Sequence, residues 1–313
     1  MKANSSFLRM TRIICFLVCI CLPCSANSHE DFTENWWDNN ALIVKGYGFA
    51  PPNFGTVEQG RIWARRAATL DGYRKLAEQA KAIRITAKET IGTQIITGDI
   101  SEKKITALIH GAKIISEEFD ANGNCTVVLS VPLYGVKDSV ANIAFKPVAK
   151  ESFPPPSESA KNIAKGNYTG LIIDCGDADL NPVLLPEIRN ENNQSVYAYN
   201  NLDYDKIISK GMVSYMKRDD ASPTNSFMRL KFVNNKSCDG KFLLLTSVRE
   251  TETVSRAGNN PLIIEATALS DDNTCPVIST NDADKILTEN QISHFLDEGS
   301  VVFTGYRVGG LRA

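Results

Sequence analysis

Histidine is nearly missing from this chain: three occur in 313 residues, His29, His110 and His294. No two of them stand at a ligand spacing, so a histidine-based metal site is not expected. A basic excess is missing too. Lys and Arg number 34 against 36 Asp and Glu, a formal net charge of −2, whereas a nucleic-acid binder needs surplus positive charge to neutralise phosphates. There is no G-x-S-x-G elbow and no Walker A loop. The lone G-x-G, in "GYGFAPPNFG" from Gly46 to Gly55, stands beside prolines and reads as a turn. Asp174, Asp177 and Asp179 cluster after a strand-like run but lack the spacing, sixth-position Gly and terminal Glu of an EF-hand loop. Glu117 and Glu118 are neighbours on an expected strand, so they face opposite ways and cannot act as an acid and base pair. No catalytic residue, metal or cofactor is expected.

Long apolar runs are also scarce, with one exception near the start. Lys2, Arg9 and Arg12 precede the unbroken run Ile13 to Leu22, and "PCSA" follows, ending at Ala26. This is the layout of a secretory signal, with cleavage expected after Ala26. The run is shorter than the roughly 20 apolar residues that a spanning helix needs. Cys21 and Cys24 sit in poor lipidation contexts, so plain cleavage is preferred over a lipid anchor. Peripheral membrane association stays open, and the expected location is the periplasm or beyond. Removing residues 1–26 takes away three basic residues and no acidic one, which leaves a net charge of about −5. Cys125, Cys175, Cys238 and Cys275 remain, in a compartment where disulfides persist. Four cysteines allow three pairings. Cys238 and Cys275, both in polar loop-like stretches, are the candidate pair.

The pattern along the chain divides into an α/β domain over residues 40–146, a Pro-rich linker over 147–166, a β-rich domain over 167–306 and a tail over 307–313. The fold class is therefore α+β: a long helix on a β-sheet, then a mostly β half with one late helix. "ALIVKGYGFA" reads as a strand. Thr56 and Gln59 fit a capping box that opens a helix running to about Ala82. "IRITAKETIGTQII" reads as a strand broken at Gly92, and "SEKKITALIHG" as a short helix ending at Gly111. "AKIISEEF" and "CTVVLSVPL" flank Asn122-Gly123, a hairpin signal. In the second half, "YTGLIIDC", a hairpin around "NENNQ", "RLKFV", "KFLLLTSV" and "NPLIIEATAL" read as strands. The helix "NDADKILTENQISHFL" and the strand "GSVVFTGY" close the chain.

Stepping the long helix at about 100° per residue puts Ile62, Thr69, Leu70, Tyr73, Leu76, Ala77 and Ala80 on one broad face, expected to pack on the core. Asp71–Lys75 and Arg74–Glu78 are i,i+4 pairs, expected as solvated decoration. Arg66 falls inside the apolar stripe. It is expected to snorkel out or to pair with Glu117 or Glu118, and a partner-binding role is the alternative. The adjacent Trp36 and Trp37 are expected to pin the N-terminal segment, with stacking on glycan or lipid headgroups as the alternative.

The stretch "ARRAATLDGYRKLAEQ", an I-x-I strand start, and then "IHGAKIISEEFDANGNCTVVLSVPLYG" resemble the LPP-twenty-like lipoprotein family and the amino-terminal domain of flagellar assembly protein T. The likeness covers about residues 40 to 140. "YTGLIID" and "NDADKILTENQISHFLDEGSVVF" also look like the carboxy-terminal region of longer members of this group. Gly72 stands where the family prefers Ala, a departure expected to cost roughly 1 kcal/mol of helix propensity while leaving room for close packing. The resemblance implies a compact α/β envelope domain without catalytic residues, whose partners are envelope or flagellar proteins. The resulting expectation is a non-enzymatic exported protein acting by protein–protein contact. The alternative is a periplasmic module binding envelope glycan or a small molecule.

Overall fold

A computed structural model of the chain describes residues 36–52, 55–158, 164–217 and 256–306. The expected signal, His29, Cys238, the strands "RLKFV" and "KFLLLTSV" and the tail lie outside the described residues. The fold is α+β, with a helix-on-sheet first region and a strand-rich second region.

Helix α1 (Trp36–Asn39) leads into β1 (Ala41–Gly48). Helix α2 (Val57–Ala82) starts where the Thr56 hydroxyl accepts the Gln59 amide hydrogen at 3.3 Å, satisfying one of the orphan donors of the first turn. Helices α3 (Ile91–Thr97) and α4 (Glu102–His110) follow. Strands β2 (Lys113–Phe119) and β3 (Cys125–Pro132) form the expected hairpin, closed by the Asp120 carboxylate accepting from the Asn122 and Asn124 amides. β1, β3 and β2 make an antiparallel sheet in that order. The short α5 (Val140–Ala144) ends the region.

Three sequence expectations fail here, each for a physical reason: the strand around Gly92, the face of α2, and the turn at Gly46 and Gly48. The stretch around Gly92 is a helix, because Thr90 and Thr93 form a reciprocal capping box that sets a helix start against local strand propensity. Only a single bridge, Arg84 to Thr90, remains of the expected strand. The second failure is the face of α2. Its buried residues are Gly60, Ala64, Ala68, Gly72, Leu76 and Ala80, a four-residue repeat of mostly small side chains. Ile62 and Leu70 point to solvent, 60% and 67% exposed. The cause lies in β1. Gly46 and Gly48 are strand residues, not a turn, and they let the strand press against the helix backbone. A Cβ on Gly46 would stand 2.1 Å from the Ala68 carbonyl oxygen, and one on Gly48 1.9 Å from that of Ala64. From the other side of this contact, a Cβ on Gly72 would meet Leu129 Cδ1 at 2.5 Å. Glycine at 72 therefore does allow the closer packing.

The close approach also puts α2 over the free edge of β1. Asp71 Oδ2 accepts the Tyr47 amide hydrogen at 3.1 Å, and Lys75 Nζ donates to the Lys45 carbonyl at 2.8 Å. Asp71 and Lys75 are themselves 2.8 Å apart. The pair is thus more than solvated decoration, since it satisfies edge groups that would otherwise template another strand. Burial opposes the Asp71 carboxylate, but the hydrogen bonds from Lys75, the Tyr47 amide and Arg74 outweigh it and hold the pKa below 3.8. A carboxyl depressed on folding contributes stability above its unfolded pKa, and that contribution is lost as pH falls through the lower folded value. The stability difference between wild type and Asp71→Asn is therefore expected to be present at neutral pH and to shrink below about pH 4. Urea midpoints measured from pH 7 to pH 2.5 check this, and a pH-independent difference would contradict it.

The second region holds β4 (Gly170–Asp174), β5 (Ile188–Asn190), β6 (Ser195–Tyr197), helix α6 (Tyr204–Lys210), β7 (Ser214–Lys217), β8 (Pro261–Glu265), β9 (Ala268–Ser270), β10 (Cys275–Ile278), helix α7 (Thr280–Ser293) and β11 (Val301–Tyr306). One sheet, ordered β7-β11-β4-β8, is parallel throughout. The other, β6-β5-β10-β9, is mixed. Two elements go beyond the sequence expectation: the parallel pairing and the short α6. The late helix α7 is where it was expected, capped by Ser279 Oγ accepting from the Asp282 amide at 3.1 Å.

The two regions pack as one body. The Leu184 and Leu185 amides donate to the Arg84 and Ile85 carbonyls, and the Gly135 amide to Ile208. A single cluster of buried side chains runs from Leu42 through Leu129 and Leu184 to Phe303. The Pro-rich stretch carries no helix or strand in its described part, yet it is held down. Phe153 stacks on Tyr197, and the Ser157 amide donates to Asp284.

Candidate interaction surface

With the small side chains of α2 turned to the sheet, its large ones form the outer surface. Ile62, Arg66 and Leu70 succeed one another at i,i+4 spacing and so line one row of the helix. Trp63, 46% exposed, stands beside them. Arg66 is exposed, and its guanidinium carbon lies 5.7 Å from the Trp63 ring centroid, at cation–π distance. Of the two partners expected for Arg66, Glu117 pairs with Arg65 instead, at 2.9 Å. Among the described residues Arg66 forms no ion pair. A second arginine, Arg61, stands 5.7 Å over the ring of Phe119, which is itself 38% exposed. The outer face of α2 therefore presents aliphatic groups, an indole and a guanidinium on a helix fixed by its opposite side. Trp and Arg on a rigid, well-packed element are the residue types that dominate protein-binding hot spots.

The other sequence candidates are used within the fold. Trp37 packs edge-on against Tyr215, ring centroids 5.0 Å apart. Tyr215 is in turn fixed by hydrogen bonds to the backbone of Val183. The contact ties the N-terminal helix α1 to β7. The Trp36 side chain lies outside the described residues. Cys275 is a buried free thiol at the start of β10. Cys238, its candidate partner, is outside the described residues. Burial pushes the Cys275 thiol pKa up, and burial also raises that of Cys175, to about 12. Both thiols are therefore protonated and poor nucleophiles near neutral pH.

Asp174 accepts from the Gly176 amide and the Thr304 hydroxyl, a turn-closing role. His110 leans on Tyr73 at 5.3 Å, and His294 ends α7 with positive φ. Among the described residues no three His, Cys, Asp or Glu side chains gather as a metal site, and no helix is long and apolar enough to cross a membrane. The sequence signal missed for the surface was the spacing Gly60, Ala64, Ala68, Gly72. Small residues every fourth position mark a close packing face, which turns the bulky neighbours outward.

Residues 170–304 match the family described as Treponema pallidum Tp0624, second domain. The match starts on the first residue of β4 and ends within β11. No curated protein matches the chain.

Proposed function

We propose that this chain is a non-enzymatic, exported protein of a bacterial envelope, and that it acts by binding another protein through the outer face of α2. The observation that carries the reading is the cluster Ile62, Trp63, Arg66 and Leu70, exposed on a helix whose other side is locked to the sheet. Exposed apolar groups gathered beside an arginine are the kind of patch that marks contact sites. The signal-like start supports export. The resemblance to the LPP-twenty-like family and to the amino-terminal domain of flagellar assembly protein T supports an envelope or flagellar partner. The likeness to a Treponema pallidum domain is consistent with a bacterial setting.

Affinity capture from a cell-envelope fraction tests this, comparing wild type with an Ile62→Ser, Leu70→Ser double variant. Both positions are exposed, so unfolding free energy is expected to change by less than about 0.5 kcal/mol per site. Wild type is expected to retain a discrete envelope or flagellar protein, with recovery reduced at least tenfold in the variant. Equal recovery by both, or no partner with either, removes the reading.

A further inference from the structure

In the second region the parallel sheet ends on β8. Among the described residues β8 pairs only with β4. Successive residues of a strand direct their backbone polar groups to opposite sides. The Asn260 carbonyl and the Ala266 amide both bond toward β4, so Leu262 and Ile264 face the same way. The N–H and C=O groups of Ile263 and Glu265 then point outward, and outward-facing Pro261 has no N–H to offer.

Beside this edge runs a groove of about 320 Å³ lined by Lys165, Tyr168, Asn260, Leu262, Ile263 and Lys285, among others. Its walls are fixed. The buried Glu289 carboxylate accepts the Lys165 and Gly166 amide hydrogens at 2.8 to 3.1 Å, and Asn260 Nδ2 donates to the Asn167 carbonyl at 2.9 Å. Neither Lys165 nor Lys285 forms an ion pair among the described residues. Ile263 is 41% exposed, and Glu265, at the far end of the strand, is exposed as well. The edge is thus positive at its start, apolar in the middle and negative at its end.

We infer that this edge binds an extended peptide by strand addition, with acidic side chains of the peptide at the Lys165 and Lys285 end and an apolar one against Ile263. Charge complementarity selects the occupant, and the outward Ile263 and Glu265 backbone groups supply the ladder that an extended chain needs. Lysine and proline at a sheet edge also serve to repel strands. Here, though, the lysines come from the loop before β4 and from α7, and they flank a groove instead of projecting from the strand. The site is separate from the outer face of α2, so either can fail alone.

The test uses the full mature chain and the capped hexapeptide acetyl-Glu-Val-Glu-Val-Thr-Val-amide as probe, followed by amide NMR and hydrogen exchange. Ile263→Pro removes one outward N–H and leaves the groups facing β4 in place, a change tolerated at edges. The expected result is peptide-dependent shift and protection of the Ile263 and Glu265 amides. Affinity should fall at least tenfold in Ile263→Pro and again in Lys285→Glu, and a Lys-for-Glu peptide should not bind. Four results would overturn the inference. They are an Ile263 amide already protected in the free chain, no shift at millimolar peptide, binding unchanged in Ile263→Pro, and inorganic phosphate producing the same Lys285-dependent shifts as the peptide.

Discussion

Alanine at Gly46 or Gly48 is expected to cost about 3 kcal/mol or more of unfolding free energy at each site, at the upper end for overpacking a core. The added Cβ would fall 2.1 Å from the Ala68 carbonyl oxygen in one case and 1.9 Å from that of Ala64 in the other. The obstacle is helix backbone, not the end of a flexible side chain, so no rotamer change relieves it. Either α2 lifts from β1, or the strand shifts. Lifting α2 would expose Leu76, Leu129 and Val127, all fully buried now, at about 25 cal/mol per Å² of apolar surface. It would also pull Asp71 and Lys75 from the Tyr47 and Lys45 backbone and open that edge to aggregation. Urea denaturation read by circular dichroism measures the cost. A loss under 1 kcal/mol would show that the close contact is not what orients the helix.

Arg256 carries the second large expectation. Its guanidinium donates to the carbonyls of Gly299 at 2.8 Å, Lys210 at 2.8 Å and Gly211 at 2.6 Å, and to Ser214 Oγ at 3.2 Å. No carboxylate partners it in these bonds. It gathers the C-terminal end of α6, the start of β7 and the turn before β11, where a helix end favours positive charge. Burial draws its pKa down from the ordinary arginine range, and a guanidinium keeps its charge at physiological pH. Arg256→Met keeps the stem and leaves these acceptors without their donor, with an expected loss of about 3 kcal/mol. Arg256→Lys recovers only part of this, because an ammonium cannot reproduce the planar fork. Thermal unfolding of the three proteins orders them Arg, Lys, Met. Equal midpoints would contradict the clamp.

Local signals in the sequence translated well into structure. The Thr56 N-cap, the Asn122-Gly123 hairpin, the stop at Gly111 and the helix near residue 280 each depend on a few adjacent residues, and each appears, although of the capping box expected at Thr56 only the bond from the Gln59 amide forms. What was not legible depends on a partner distant in the chain. The wheel of α2 weighs residues by hydrophobicity, whereas the outcome was decided by the room that Gly46 and Gly48 leave for a backbone. Arg66 looked like an arginine in a core because Ile62 and Leu70 looked like core. Once the helix is turned, all three belong to the same outer surface. The parallel order β7-β11-β4-β8 joins strands far apart along the chain, and no short motif announces it. The β8 groove was equally hidden, since Lys165 and Lys285 are 120 positions apart and meet only through the strand between them.

Site-specific photo-crosslinking in the native cell addresses the central claim most directly. A photoreactive residue placed at Leu70 is compared with one at Ile96, which is 87% exposed but on α3, away from the proposed surface. The account predicts one dominant adduct from position 70, an envelope or flagellar protein, abolished by Ile62→Ser and absent from position 96. No adduct from position 70, or the same adducts from both positions, would contradict a contact surface on α2.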